Sequence, residues 1–176
     1  MRNALVIAGC GLATAAAVAF AAESPNLGRL AIPEEIAPWD ISIGPDGVGL
    51  PLGHGTPKQG EAVYAAKCVA CHGEKGAGKP NDQLVGGQET LAGDKPAVKT
   101  VGSFWPYATT VFDYVRRAMP WQQPMTLTND EVYALTAYIL MLNKLIGEND
   151  AMNAQTLPKV KMPNRDGFIV RFPEAM

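Results

Sequence analysis

A strong charge of either sign is missing from this sequence: 15 Lys and Arg stand against 17 Asp and Glu, a net charge of −2. With no basic field to meet a phosphate backbone, nucleic-acid binding is excluded as a primary role. Aromatics are scarce at 7%, while 18 Gly and 14 Pro point to much loop around a modest core. Histidine occurs twice and cysteine three times, which leaves little material for a zinc cluster. At 176 residues the chain is too short for two full catalytic domains, so one site is expected. There is no Ser/His/Asp set, no phosphate loop and no paired-carboxylate motif. The hydrophobic share of 47% nevertheless suffices for one real core.

The compartment is read from the N-terminus. Arg2 precedes an uncharged, Ala-rich run from Asn3 to Ala22 that ends in Ala19-Phe20-Ala21, the pattern of a secretory signal with a small-x-small cleavage site. Residues 1–21 are therefore expected to be a signal peptide and the mature protein to start near Ala22 in the periplasm. Cys10 follows Ile7-Ala8-Gly9 as in a lipoprotein box, but only about six apolar residues precede it where a signal core needs roughly 7–15. Lipidation is the lesser expectation. Beyond this segment nothing is long and apolar enough to span a membrane, so no stable span is expected after cleavage.

Residues 22–55 read as an irregular arm broken by Pro25, Pro33, Pro38, Pro45 and Pro51. The arm is acidic, with Glu23, Glu34, Glu35, Asp40 and Asp46 against Arg29 alone. A helix is predicted from Pro57 to about Lys67, with Thr56 as cap and Gln59 completing a capping box. The Gly-rich stretch 73–102 reads as a long functional loop. A second helix is predicted over Tyr107–Ala118, ended by Pro120. Thr128-Asn129-Asp130-Glu131 forms another capping box, opening a helix in which Val132, Leu135, Ile139, Leu142 and Ile146 keep +3/+4 spacing. Gly147 is its predicted end. Residues 148–176 form a second irregular arm, and no period-2 strand pattern appears in either arm.

Chemistry concentrates at Cys68-Val69-Ala70-Cys71-His72, a Cys-x-x-Cys-His arrangement. Two thiols three positions apart at a helix end reach the two vinyl groups of one porphyrin edge, and the adjacent His lies under the iron. One covalent haem c is the expected cofactor, with His72 as proximal ligand. A bare Cys-x-x-Cys also suits a redox dithiol or half a zinc site. Zinc needs further ligands, and only His54 stands outside the motif. A thioredoxin-like site wants a strand before and a continuous helix after, where here a Gly-rich loop follows.

For the sixth ligand Met119 is the choice, because it follows a helix and precedes the irregular stretch before the last one. Met125 competes from the same loop. Met141 lies in a helical stripe and reads as core. Met152 and Met162 would require the C-terminal arm to fold back, and His54 is a remote bis-His alternative.

In the order of these features the sequence resembles the class I cytochrome c family: Gly60 and Tyr64 in the first helix, the haem motif ending it, then Pro80 and Leu84, Met119-Pro120, and a final Leu127-Thr128-x-x-Glu131-Val132-x-x-Leu135-x-x-Tyr138 helix. The resemblance covers roughly residues 57–146 and implies an all-α fold, a small helical haem domain over 56–147 flanked by the two arms. It also implies that the first and last helices cross near Gly60 with Tyr64 and Tyr138 packed there, and that the Pro80 carbonyl accepts a hydrogen bond from the His72 ring.

A narrower likeness rests on Thr100-Val-Gly-Ser-Phe-Trp-Pro-Tyr-Ala-Thr-Thr, Asp113-Tyr-Val-Arg-Arg-Ala-Met-Pro, Met162-Pro-Asn-Arg-Asp-Gly-Phe and Ile32-Pro-Glu-Glu-Ile-Ala-Pro-Trp-Asp-Ile. These segments resemble the cytochrome subunit of Sox-type sulfur dehydrogenases, whose better-known members carry two haem domains where this chain has one motif. The resemblance implies electron acceptance from a molybdenum-cofactor subunit of the sulfite-oxidase type. A related sulfite dehydrogenase fits equally.

Met/His ligation closes both axial positions, so electron transfer is expected rather than catalysis at the iron. Arg116 and Arg117, beside Trp105, are candidates to neutralise haem propionates, or else an ordinary cationic helix end. Lys67, Lys75 and Lys79 are candidates for a docking rim, or part of a mixed surface with Glu61, Glu74 and Asp82. The alternative function is a haem sensor or enzyme whose Met ligand is displaceable.

Overall fold

A computed structural model describes residues 27–169. The signal segment 1–21 and Cys10 lie outside the described residues. The chain divides into two units, Met1–Trp39 and Asp40–Met176. In the first, α1 (Pro33–Ile36) is a single turn begun by Pro33. The Arg29 guanidinium pairs with Glu35, which also accepts the Ile32 N–H at 3.1 Å.

The second unit is built on three longer helical pieces, with little strand, as expected for an all-α haem domain. α2 (Pro57–Lys67) starts at the Thr56 cap, where the Gln59 N–H donates to the Thr56 hydroxyl and the Gln59 side chain accepts the Thr56 N–H at 2.9 Å. α3 (Val69–His72) is one turn carrying the haem motif. A 3₁₀ turn, Glu74–Gly76, follows within an otherwise irregular stretch up to α4 (Ala108–Ala118). α5 (Asn129–Leu142) begins at the Thr128–Glu131 capping box.

The helix at the centre is α5, whose residues Val132 to Leu140 are all buried. It crosses α2 at Gly60, where a Cβ would overlap the carbonyl oxygen of Ala134. Only glycine permits that approach of two backbones. The Tyr64 and Tyr138 rings pack beside the crossing with centroids 5.4 Å apart. On the α4 side Phe112 meets Tyr133 at 4.4 Å.

Two expectations are corrected. The last helix ends at Leu142 rather than at Gly147, because Asn143 turns its side chain to loop backbone and Lys144 adopts φ 60°. The arms also carry a strand pair that no alternating pattern announces: β1 (His54–Gly55) pairs antiparallel with β2 (Met152–Asn153). Such a two-residue ladder is too short for periodicity to register. Around it, Tyr133 donates its hydroxyl to Pro51 O at 2.9 Å. The C-terminal arm folds back, burying Met152, Leu157 and Met162 in the core, and Asn164 donates to Phe104 O at 2.7 Å.

Candidate haem site

Cys68 is the residue at which α2 ends, its N–H still donating to Tyr64 O at 2.9 Å, and α3 restarts the chain at once. One helical turn therefore carries Cys68, Cys71 and His72, all half-buried, with the two thiols unpaired. Burial pushes the Cys68 thiol up to about 11. A redox dithiol needs the opposite shift, toward an accessible thiolate. Among the described residues no group of three or more His, Cys, Asp and Glu side chains is placed to hold a metal ion.

The His72 ring places Nδ1 2.9 Å from the carbonyl oxygen of Asp82. A carbonyl only accepts, so this contact puts the proton on Nδ1 and leaves the Nε2 lone pair free. The acceptor is Asp82, not Pro80 as the resemblance implied. The reason lies in the turn: Lys79 donates its N–H to Asn81 O at 2.7 Å and Asn81 donates to Cys71 O at 2.9 Å. Tied at Asn81, the chain presents the next carbonyl to the ring, and Pro80 is exposed.

The donor set fits haem c. Each thiol S–H can add across a vinyl C=C with nothing lost, and the free Nε2 is a ligand of the correct tautomer. Val69, within the motif, and Leu84, Trp105, Met119 and Leu127 are half-buried and packed on the core.

Met119 is the residue at which α4 ends, half-buried, whereas Met125 is 59% exposed at φ 60°. Met141 is half-buried against the core. His54 is exposed and its N–H donates to Asp130 Oδ1 at 2.8 Å. Arg117 is committed elsewhere, donating from Nε to Asp113 at 2.7 Å and from an Nη to Ile41 O at 3.0 Å. These contacts draw the guanidinium toward the N-terminal arm's carbonyl and leave fewer of its N–H donors for a propionate. Arg116 makes no ion pair among the described residues, and Trp105 lies edge-on to Tyr114 at 5.5 Å. Of the lysines proposed for a rim, Lys67 is paired with Glu131 at 2.8 Å.

Against known proteins, residues 55–139 match the family described as cytochrome c oxidase, cbb3-type, subunit III. A chain in the crystal structure of the sulfane dehydrogenase SoxCD from Paracoccus pantotrophus is 40% identical, with a TM-score of 0.78 over 86% of this chain and 75% of that one. The chain belongs to the cytochrome c family. This cytochrome is also 30% identical over 90 residues to a thiosulfate dehydrogenase of Psychrobacter arcticus, spanning 51% of itself and about a quarter, 27%, of that relative. It is an electron-transfer cytochrome carrying covalently bound haem c. No helix among the described residues is long and apolar enough to cross a membrane.

From the sequence Asp82 reads only as part of a mixed surface, and Asn143 is not singled out. A backbone acceptor leaves no side-chain signature, so Asp82 has none to find. Asn143 has one weak signal, an Asn within a helical stripe, where such a residue tends to end the helix.

Proposed function

We propose that this cytochrome is a periplasmic monohaem carrier in inorganic sulfur oxidation. It takes single electrons from a molybdenum-containing sulfur or sulfite dehydrogenase subunit and passes them to another carrier or an oxidase. The observation that carries this reading is the single Cys-x-x-Cys-His turn with His72 already oriented by Asp82, set in a chain 40% identical to one in the sulfane dehydrogenase SoxCD. Bound haem supplies a one-electron iron couple. Cys68 and Cys71 would hold it through thioether bonds, with His72 Nε2 and the Met119 thioether as the side-chain ligands to its iron. The burial of Met119 against the exposure of Met125 supports that choice. Arg116, which makes no ion pair among the described residues, is the candidate to neutralise a haem propionate, with Trp105 beside it in the candidate set. Residues 1–21 serve as the export signal and residues 56–147 as the haem domain.

Spectra of the periplasmically matured protein test the ligand set. The near-infrared band of a thioether-ligated ferric iron is expected in the parent and in Met125→Ala, and lost in Met119→Ala. Absence of the band in the parent, with tight carbon monoxide binding, overturns the carrier reading in favour of a sensor or enzyme. For the pathway, the oxidised cytochrome is mixed with a purified sulfite-oxidase-type molybdenum enzyme. Reduction on adding sulfite, thiosulfate or a sulfane donor is expected only when that enzyme is present, and no reduction with any of them removes the sulfur assignment.

A further inference from the structure

Asn143, just past the end of α5, is 3% exposed and uses both ends of its amide on backbone. Its Nδ2 donates to Ile139 O at 2.9 Å within its own helix and to Leu84 O at 3.1 Å. Its Oδ1 accepts the Gly86 N–H at 3.0 Å. Leu84 and Gly86 are the second and fourth residues after Asp82, whose carbonyl holds the His72 ring. We propose that Asn143 is a positioning residue for His72, clamping the 82–86 segment so that the Asp82 carbonyl stays on Nδ1. This rests on the reading of His72 as the axial ligand.

The loop leading to Asp82 is otherwise held by backbone hydrogen bonds rather than by side chains. Residues 79–82 are all exposed, and no side chain of theirs reaches the core. Upstream, two backbone hydrogen bonds tie it to the motif, the Gly78 N–H on His72 O at 2.8 Å and the Asn81 N–H on Cys71 O at 2.9 Å. Downstream, Leu84 donates to Gly76 O at 2.9 Å, and that anchor lies on another part of the same irregular stretch. The Thr100 hydroxyl holds the Gly86 carbonyl at 2.5 Å and Leu84 packs on the core, while Asn143 supplies the hydrogen bonds that join the segment to the end of α5, the most buried element of the fold.

The chemistry of the clamp calls for an amide. One donor and one acceptor are needed from a single planar group, aimed at a C=O and an N–H two residues apart. Aspartate would set a carboxylate oxygen against the Leu84 carbonyl, and serine is too short to serve both. Room for the amide comes from Gly102, where a Cβ would overlap Asn143 Oδ1.

The consequence falls on the imidazole. A hydrogen bond from Nδ1–H to a fixed carbonyl makes Nε2 a stronger donor, which favours the oxidised iron. Loosening the carbonyl weakens that bond and raises the reduction potential. The test compares Asn143→Ala and the milder Asn143→Ser with Leu140→Ala, a fully buried α5 residue whose side chain makes no hydrogen bond. All are matured with haem and read by spectroelectrochemistry, by the NMR signal of the His72 Nδ1–H in the reduced state, and by amide exchange.

Both Asn143 variants are expected to raise the potential, shift the His72 ring signal and speed Gly86 exchange roughly five- to tenfold. Leu140→Ala is expected to lower Tm with the potential and ring signal unmoved. If the Asn143 variants lose only Tm while potential and ring signal stay at the parent's values, the clamp is overturned and Asn143 is structural. A parent protein that matures without covalent haem overturns the assignment of His72, and this inference with it.

Discussion

The Tyr64 hydroxyl donates to the carbonyl of Gly73 at 2.9 Å, so a residue of α2 holds the position that immediately follows the haem-motif histidine. Its ring meanwhile lies on Tyr138. Packing of the α2–α5 crossing and the exit of the motif thus share one side chain. Burial, with the neighbouring Cys68 next in importance, pushes the Tyr64 phenol up to about 12.

Tyr64→Phe keeps the ring contact and removes only the hydrogen bond. A loss of about 1 kcal/mol is expected at neutral pH, measured by chemical denaturation. The sign of the pH effect follows from the raised value. The folded state favours the neutral phenol, so the stabilisation is whole below the ordinary tyrosine value near 10 and fades as pH climbs toward 12. The stability gap between parent and Tyr64→Phe should therefore narrow across that window, and a constant gap would show that the phenol does not titrate with folding.

Gly60→Ala should cost about 3 kcal/mol or more. The added Cβ meets the Ala134 carbonyl, which is backbone in the middle of the most buried helix and has nowhere to move. Thermal denaturation reads the effect directly. A variant with parental Tm would mean that the two helices separate at the crossing without cost.

The parts of this fold that were legible in the sequence are those fixed by neighbours in the chain. Thr56 with Gln59 and Thr128 with Glu131 are boxes closed within four residues, and both helices begin where those boxes lie. Gly60, Tyr64 and Tyr138 were legible through family resemblance. What stayed hidden depends on distant partners. Asn143 ends α5 by bonding to Leu84 and Gly86, nearly sixty residues away in the chain. Arg117 is drawn to Ile41 O in the N-terminal arm. The exchange of Pro80 for Asp82 turns on how a Gly/Pro turn folds over Cys71, and a backbone carbonyl looks the same at every position.

Thr136 and Thr109 are buried with hydroxyls that have no hydrogen-bond partner among the described residues. An unpaired buried hydroxyl carries a desolvation cost that an isosteric methyl does not. Thr136→Val is thus expected to stabilise the protein by about 1 kcal/mol, a rise in Tm of roughly 2–4 °C for a chain of this size. A fall in Tm would instead reveal a partner for that hydroxyl in the mature protein, such as an ordered water.

The Lys67–Glu131 pair can be separated from the cap it sits on. Glu131 accepts from Lys67 Nζ at 2.8 Å and from the Thr128 N–H at 2.8 Å, so one carboxylate both joins α2 to α5 and closes the capping box. These bonds, the one from Lys67 first, hold the Glu131 carboxyl below the usual carboxylate range. Glutamine serves the box as well as glutamate does, so Glu131→Gln removes the charge and leaves the cap. Both partners are partly solvated, with side-chain exposures of 37% and 28%, and the pair is worth about half a kcal/mol after screening. Because the folded value is depressed, that contribution is present above the unfolded carboxylate range and lost as pH falls through the folded value. Denaturation curves of parent and Glu131→Gln should differ at pH 7, the gap shrinking with added salt, and should converge in acid. A gap that persists in acid would place the effect in the cap rather than in the ion pair.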